Sequence, residues 1–317
     1  MDLGASMTPS TTDAATSPSA RIVAVTGATG GLGSRVASRL AMLAVPLRLV
    51  VRDVSKIPAE LGRLAATATA HGPSSATIVA GSYADSDAMR AAFAGADTVF
   101  LVSGREAPDR LQHHYTAVDA AVAAGVRRVI YTSYLGAAAD ATFTLARDHY
   151  QTEEHLKASG LVYTFLRNSL YLDFLPSMVW DDQVIRGPGA DGRVACVSRD
   201  DVADVAAAVI GGPGVHAAQH DGQTFNLTGP RALSLAEIAA ELSSHTGRAV
   251  VYKPETIDQA RASRAGYSAP DWMVDGWITM YTSIAAGELD LITADVERVT
   301  GHPAQTLRNY LAAHPMA

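Results

Sequence analysis

Short apolar runs and helically spaced apolar residues alternate along most of this chain. "RIVAVTG" (21–27) is a β-branched run ending in glycine, the profile of a strand buried on both faces. "GSRVASRLAMLA" follows, with Val36, Leu40 and Leu43 at helical spacing. The same reading gives a strand over 47–53, a helix over 57–71 and a strand over 76–82. "DSDAMRAAFAGA" reads as a helix opening on Asp85 or Ser86, either of which can accept from free N–H groups. Then come a strand over 97–104, a helix over 110–125, a strand over 126–133, a helix ended by Gly160, and a strand over 162–168. Six alternations at roughly 25-residue spacing predict an α/β fold around a doubly wound parallel sheet.

Beyond Asn168 the rhythm breaks. Residues 171–195 read as irregular, rich in Trp, Asp, Pro and Gly. "SRDDVADVAAAVIGG" is an amphipathic helix that would return to the sheet, and "QTFNLTGP" is a strand. In "SLAEIAAELSSHTG", Ser234 and Glu237 have the spacing of a capping box. "AVVYKPE" is a further strand and the remainder reads mostly as helix. The expected organisation is a disordered tail over 1–20 and a nucleotide-binding domain over 21–170, with 197–230 returning to it. A small C-terminal α/β lobe, mainly 171–196 and 231–317, would lie over the strand ends, where ligands bind in such sheets.

Composition narrows the function. The 317 residues are 48% hydrophobic and 18% charged, ordinary for a globular chain. A formal charge of −7 argues against a nucleic-acid-binding surface and offers no polybasic patch for a membrane. The single cysteine, Cys196, leaves no internal disulfide and fits a reducing cytoplasm, where it reads as a buried structural residue. No apolar run approaches the roughly 18 residues of a membrane span. The first twenty residues carry no Lys, no Arg and no apolar core, so they do not read as a signal peptide. Cytoplasmic location is therefore the expectation. No metal is expected either: His113 and His114 are adjacent on a helix and diverge, and His216 and His220 have no evident third ligand.

"VTGATGGLGSRV" places Gly27, Gly30 and Gly33 as G-x-x-G-x-x-G between a strand and a helix, the context a dinucleotide loop requires. Gly27 permits the tight turn, Gly30 lets the backbone approach a diphosphate, and Gly33 allows close helix–sheet packing. The backbone of Thr29, Gly31 and Leu32 opens the helix, whose N-terminus supplies N–H donors and a favourable dipole. At the end of the second strand an acidic residue would hold the ribose of NAD; "LVVRD" offers Arg52 instead, with Lys56 four residues on. Two cations suit a 2′-phosphate and hence NADPH, while the neighbouring Asp53 is the complication.

With these residues in view, the chain resembles the atypical short-chain dehydrogenase/reductases of the NmrA-like group, and most resembles the bacterial type-2 NAD(P)H:quinone oxidoreductases. The resemblance runs from Ile22 to near the C-terminus. It rests on "TGATGGLG", "VVRDVSK", "AAGVRRVIYTS", "HYQTEEHLKASGLVYTFLRN", "LSLAEIAAELSSHTGRAVVY" and "ADVERVTGHPAQTL". It implies a Rossmann-type domain with a small C-terminal lobe, and NADPH as the usual partner.

The departures are informative. The superfamily's catalytic pair is Tyr-x-x-x-Lys, with an acidic residue four positions after the Lys. Anchored on Glu153, the Lys position falls on His149 and the Tyr position on Leu145, so both are absent. Tyr150 is one residue out of phase, about 100° away around the helix. Reduction of a simple ketone creates an alkoxide about as basic as hydroxide, with water's pKa about 15.7, and gains much from a positioned acid. Hydride addition to a quinone gives a phenolate-like anion, comparable to Tyr at pKa about 10, and needs no such acid.

The resemblance implies a role for His149 at the nicotinamide ribose and as a proton donor. Ser82, Ser103, Gly104 and Thr132 would line the cofactor at the strand ends. Tyr134, Asn168, Tyr171, Phe174 and Trp180 would line the acceptor slot. Tyr150, Glu153 and Glu154 read as solvent-facing or ribose-neighbouring helix residues. The leading expectation is an NADPH-dependent oxidoreductase of a small quinone-like acceptor. A nucleotide-sensing regulator of the NmrA type and a specialised-metabolite reductase are the alternatives. A homodimer is carried as an expectation that no motif decides.

Overall fold

A computed structural model describes residues 21–59, 62–63, 76–211 and 217–314. The tail expected to be disordered, most of the helix expected over 57–71, His216 and the side chain of Lys56 lie outside the described residues. Seven parallel strands form the central sheet: β1 (Val23–Val25), β2 (Leu47–Val51), β3 (Ala76–Ala80), β4 (Thr98–Leu101), β5 (Arg128–Tyr134), β6 (Val162–Asn168) and β9 (Thr224–Leu227). Their order is β3-β2-β1-β4-β5-β6-β9. The order reverses between β1 and β4, which opens a crevice at their carboxyl ends.

Helices cover both faces. Helix α1 (Gly31–Met42) and α5 (Arg199–Ile210) pack on one, burying Val36, Leu40, Val202 and Val205 against Val25, Phe100, Ile130 and Leu166. Helices α2 (Ser86–Phe93), α3 (Arg110–Ala123) and α4 (Thr144–Ala158) cover the other, where Met89, Phe93, Val118 and Leu156 meet Val99, Tyr131 and Phe165. Each buried Val, Leu or Phe contributes about 1.5–3 kcal/mol, so the central strands are fixed from both sides.

The apolar pattern overreached at two points. Leu43 was expected on the buried stripe of α1 but is 43% exposed, because the helix stops at Met42 and Ala44 turns with φ +57°. The fourth strand was expected to reach Gly104 but leaves the ladder after Leu101. The next three backbone N–H groups donate to side chains instead: Val102 to Thr26 Oγ1 (2.9 Å), Ser103 to Thr132 Oγ1 (2.7 Å) and Gly104 to His114 Nε2 (2.8 Å).

The lobe has its own core, in which Leu172, Leu175, Ile185, Leu235, Ile238, Leu242, Tyr281 and Ile284 meet. Part of the stretch read as irregular contains strands. β7 (Val184–Gly187) pairs in parallel with β11 (Val251–Pro254), and β8 (Arg193–Val194) pairs antiparallel with β10 (Leu233–Ser234). These partners lie 39 or more residues away, so local pattern could not reveal them. Helix α6 (Leu235–Thr246) opens on the expected capping box of Ser234 and Glu237. Helices α7 (Ile257–Arg264), α8 (Asp271–Ala285) and α10 (Leu307–Ala313) complete the lobe, whereas α9 (Asp295–Thr300) returns to the sheet. There Val296 joins the core of α1 and α5, and Asp295 accepts from the backbone N–H of Asn226 at 2.8 Å.

Candidate active site

The glycine-rich turn follows β1 directly. Gly27 has φ +57°, a region that costs glycine little. A Cβ on Gly33 would lie 2.3 Å from the Gly27 carbonyl oxygen, so only glycine lets α1 approach the turn. Thr29, Gly30 and Gly31 are exposed, Leu32 is buried beneath them, and no side chain caps α1. Open N–H groups at the start of a helix form an anion site, and the spacing of this cradle fits a dinucleotide diphosphate.

At the end of β2, Arg52 is exposed and makes no ion pair among the described residues. Asp53 turns its carboxylate onto the following 3-10 turn, accepting from the backbone N–H and hydroxyl of Ser55 at 2.9 and 2.6 Å. Ser82 is half-buried at the end of β3, where its hydroxyl accepts from the N–H of Ala84 at 3.4 Å.

The centre of the site is a buried polar network across β4, β5, α3 and α4. His149 is only 6% exposed. Its Nε2 lies 2.8 Å from Arg110 Nη2, and its Nδ1 lies 2.9 Å from the Tyr131 phenol. Arginine can only donate, so Nε2 accepts and the ring proton sits on Nδ1. Arg110 also donates to the Gly104 carbonyl (2.9 Å) and to Asp148 (3.0 Å). His114 repeats the logic: its Nε2 accepts from Gly104 N–H, and its Nδ1 lies 2.8 Å from Thr152 Oγ1. Burial first, and the Arg110 charge second, push both histidines well below the usual imidazole range. Both backbone polar groups of Gly104 are thus gripped by side chains from α3.

This geometry qualifies the role expected for His149. Both ring nitrogens are engaged within the protein, so contact with a ribose requires one of these bonds to open. Thr132 is similarly occupied, accepting from Ser103 N–H and donating to the Leu101 carbonyl. Glu153, read from the sequence as a solvent-facing or ribose-neighbouring residue, is fully buried. It pairs with Arg167 at 2.6 and 2.8 Å and accepts from Ser133 at 2.6 Å. Its partners project from the adjacent ends of β5 and β6, where Ser133 and Arg167 are in register. Tyr150 is half-exposed, and Glu154 pairs with Lys157 on the outer surface at 2.6 Å.

The expected acceptor residues separate into two groups. Tyr134 and Asn168 are register partners at the ends of β5 and β6. The Tyr134 ring stacks near that of His149 (centroids 6.0 Å, 25° between planes), and Asn168 donates to the Tyr171 phenol at 3.0 Å. The Tyr134 phenol oxygen and Asn168 Oδ1 are buried with no hydrogen-bond partner among the described residues. Burial pushes the Tyr134 phenol upward, which keeps it protonated. Trp180 joins a lobe cluster instead, with Arg186 and Arg264 over its ring at 4.8 and 5.8 Å and Tyr267 at its edge. Phe174 is 38% exposed on a 3-10 turn. Sequence reading missed Arg110, His114 and Tyr131, because only the contact between α3, α4 and β5 shows that they belong together. Cys196 is buried as expected, its thiol pushed up to about 12 by desolvation. Among the described residues no cluster of His, Cys, Asp and Glu could hold a metal.

A family model for NAD(P)H-binding proteins matches residues 27–213, from the glycine-rich turn through α5. The chain belongs to that NAD(P)H-binding family. Within it, it is an NAD(P)H-dependent oxidoreductase with a Rossmann-type fold. It is 33% identical to quinone oxidoreductase 2 of Escherichia coli over 90% of its own length and 96% of that protein. It is 30% identical to the NAD(P)H azoreductase of Xenophilus azovorans over 93% and 99% of the two chains. The E. coli NADPH-dependent quinone oxidoreductase, solved in complex with NADPH, superposes with a TM-score of 0.78 at 32% identity, covering 92% of this chain and 99% of that one. No helix among the described residues is long and apolar enough to cross a membrane.

Proposed function

We propose that this oxidoreductase uses NADPH to reduce a quinone or a similarly conjugated carbonyl. The observation that carries the reading is the state of the catalytic helix. Leu145 and His149 stand where Tyr and Lys would be, and both nitrogens of His149 are committed to Arg110 and Tyr131. Tyr150 is off the relevant face, and Lys157 pairs with Glu154 outside. Leu145 has no proton to give, and His149 and Lys157 are both engaged within the protein, so none of these three is free to deliver a proton to an alkoxide. An acceptor whose reduced anion is stable by itself avoids that requirement. Relatives named as a quinone oxidoreductase and an azoreductase support this substrate class.

The glycine turn would hold the diphosphate. Arg52 would take the 2′-phosphate, with Asp53 occupied in capping the next turn. NADPH supplies the hydride when bound. The Arg110–His114 grip on Gly104 fixes the β4 end, so that the nicotinamide-side wall is preorganised. The Tyr134 ring and Asn168 border the acceptor slot at the ends of β5 and β6, while the Tyr134 phenol oxygen is buried. The direct test follows loss of reduced-nicotinamide absorbance with quinones as acceptors. Absence of turnover with every acceptor, alongside equal affinity for NADP+ and NADPH, would replace this reading with that of a nucleotide sensor.

A further inference from the structure

Arg199 opens α5 and lies against the glycine-rich turn. A Cβ on Gly31 would lie 3.4 Å from Arg199 Cδ, 3.6 Å from Nε and 3.8 Å from Cζ. Gly31 is the first residue of α1, the end with open N–H groups. The Arg199 guanidinium stacks over the Tyr171 ring, its carbon 4.5 Å from the centroid. Stacking engages the face of the guanidinium and leaves its N–H edges available. The only ionic partner of the side chain among the described residues is Asp173, with Nη1 to Oδ1 at 3.3 Å, a carboxylate also shared with Arg35 at 3.4 Å. Although the backbone N–H of Arg199 donates to Asp173 Oδ2 at 3.1 Å, its side chain makes no hydrogen bond among the described residues.

The geometry points to Arg199 as a diphosphate-binding residue, one that flanks the glycine turn beside Gly31. This rests on the NADPH reading above. An arginine held by its face, with only Nη1 engaged in an ion pair to Asp173, next to a helix N-terminus that attracts anions, has N–H edges left for a phosphate oxygen. The same side chain touches Tyr171, which accepts from Asn168, and Asp173, three and five residues beyond the β6 end. Grip on the diphosphate through Arg199 therefore also steadies the segment that carries the acceptor-side residues.

The test compares NADP+ with adenosine 2′-monophosphate, which has the 2′-phosphate but no diphosphate. The Arg199→Met variant keeps an apolar stem against Tyr171 and removes the donors. It is expected to raise the NADP+ dissociation constant about tenfold, the loss of one charge-assisted hydrogen bond. Affinity for adenosine 2′-monophosphate, measured by competition, should stay within about twofold of the unmutated chain, and Arg199→Lys, which keeps the charge but loses the stack on Tyr171, should recover part of the NADP+ affinity. Unchanged NADP+ affinity in Arg199→Met, an equal loss for both ligands, or no recovery with Lys would overturn the assignment. Failure of the unmutated chain to bind NADP+ at all would instead remove the NADPH reading, and this one with it.

Discussion

Arg110 donates from Nη2 to Nε2 of His149 at 2.8 Å, and that bond fixes the histidine as a neutral ring with its proton on Nδ1. His114 is held neutral in the same way by the N–H of Gly104. The native chain therefore resists protonation at two sites that the unfolded chain titrates near pH 6.5. Below that pH the unfolded state binds more protons, so stability falls as pH falls. The slope approaches about 1.4 kcal/mol per pH unit for each histidine. Urea unfolding between pH 7.5 and about 5 checks this. A His114→Gln, His149→Gln double variant should flatten the profile, and an equally steep profile in that variant would count against the assignment.

Arg52 is exposed at the end of β2, while the carboxylate of Asp53 is drawn onto Ser55. Arg52→Ala should lower the kcat/KM preference for NADPH over NADH by about tenfold or more, mainly through the KM of NADPH. A variant that keeps its preference would show that Arg52 does not read the 2′-phosphate.

Glu153 is fully buried against Arg167 and Ser133. Arg167→Met leaves a buried carboxylate without its cation and should cost about 3–5 kcal/mol in chemical denaturation. Adding Glu153→Gln should restore much of that loss. Equal stability of the single and double variants would mean that the pair is not coupled.

The Tyr134 phenol oxygen is buried without a partner. Removing an unsatisfied polar atom relieves about 1 kcal/mol or more, so Tyr134→Phe should be as stable as the unmutated chain or slightly more so. If that hydroxyl serves the acceptor, the KM for quinone should rise severalfold while the KM for NADPH stays unchanged. A loss of stability with unaltered KM would assign the hydroxyl to packing instead.

Features set by one short stretch were legible in the sequence. The glycine spacing, the Asp85 cap, the Ser234–Glu237 capping box and the φ +80° stop at Gly160 each follow from neighbouring residues and reappear in the structure. So does the sheet, because strands buried on both faces leave continuous apolar runs. What the sequence hid depends on distant partners. Glu153 looks like a surface residue until Arg167 and Ser133 arrive from two strands. Arg110 and His114 look like an ordinary polar helix face until Gly104 and α4 close over them. Arg199 lies 168 residues from the glycine it touches, and its proximity to Gly31 exists only in the folded chain. Trp180 drew attention by residue type, yet its observed contacts are to the lobe.

The central claim is that a helix with Leu145 and His149 in place of Tyr and Lys confines turnover to acceptors that need no acid. It is tested most directly by steady-state oxidation of NADPH with a para-quinone and with a saturated ketone of similar size, at matched concentrations. The account predicts sustained turnover with the quinone and a kcat/KM for the ketone lower by about a thousandfold or more, the typical contribution of a general acid. Comparable rates with both acceptors, or reduction of the ketone alone, would contradict it.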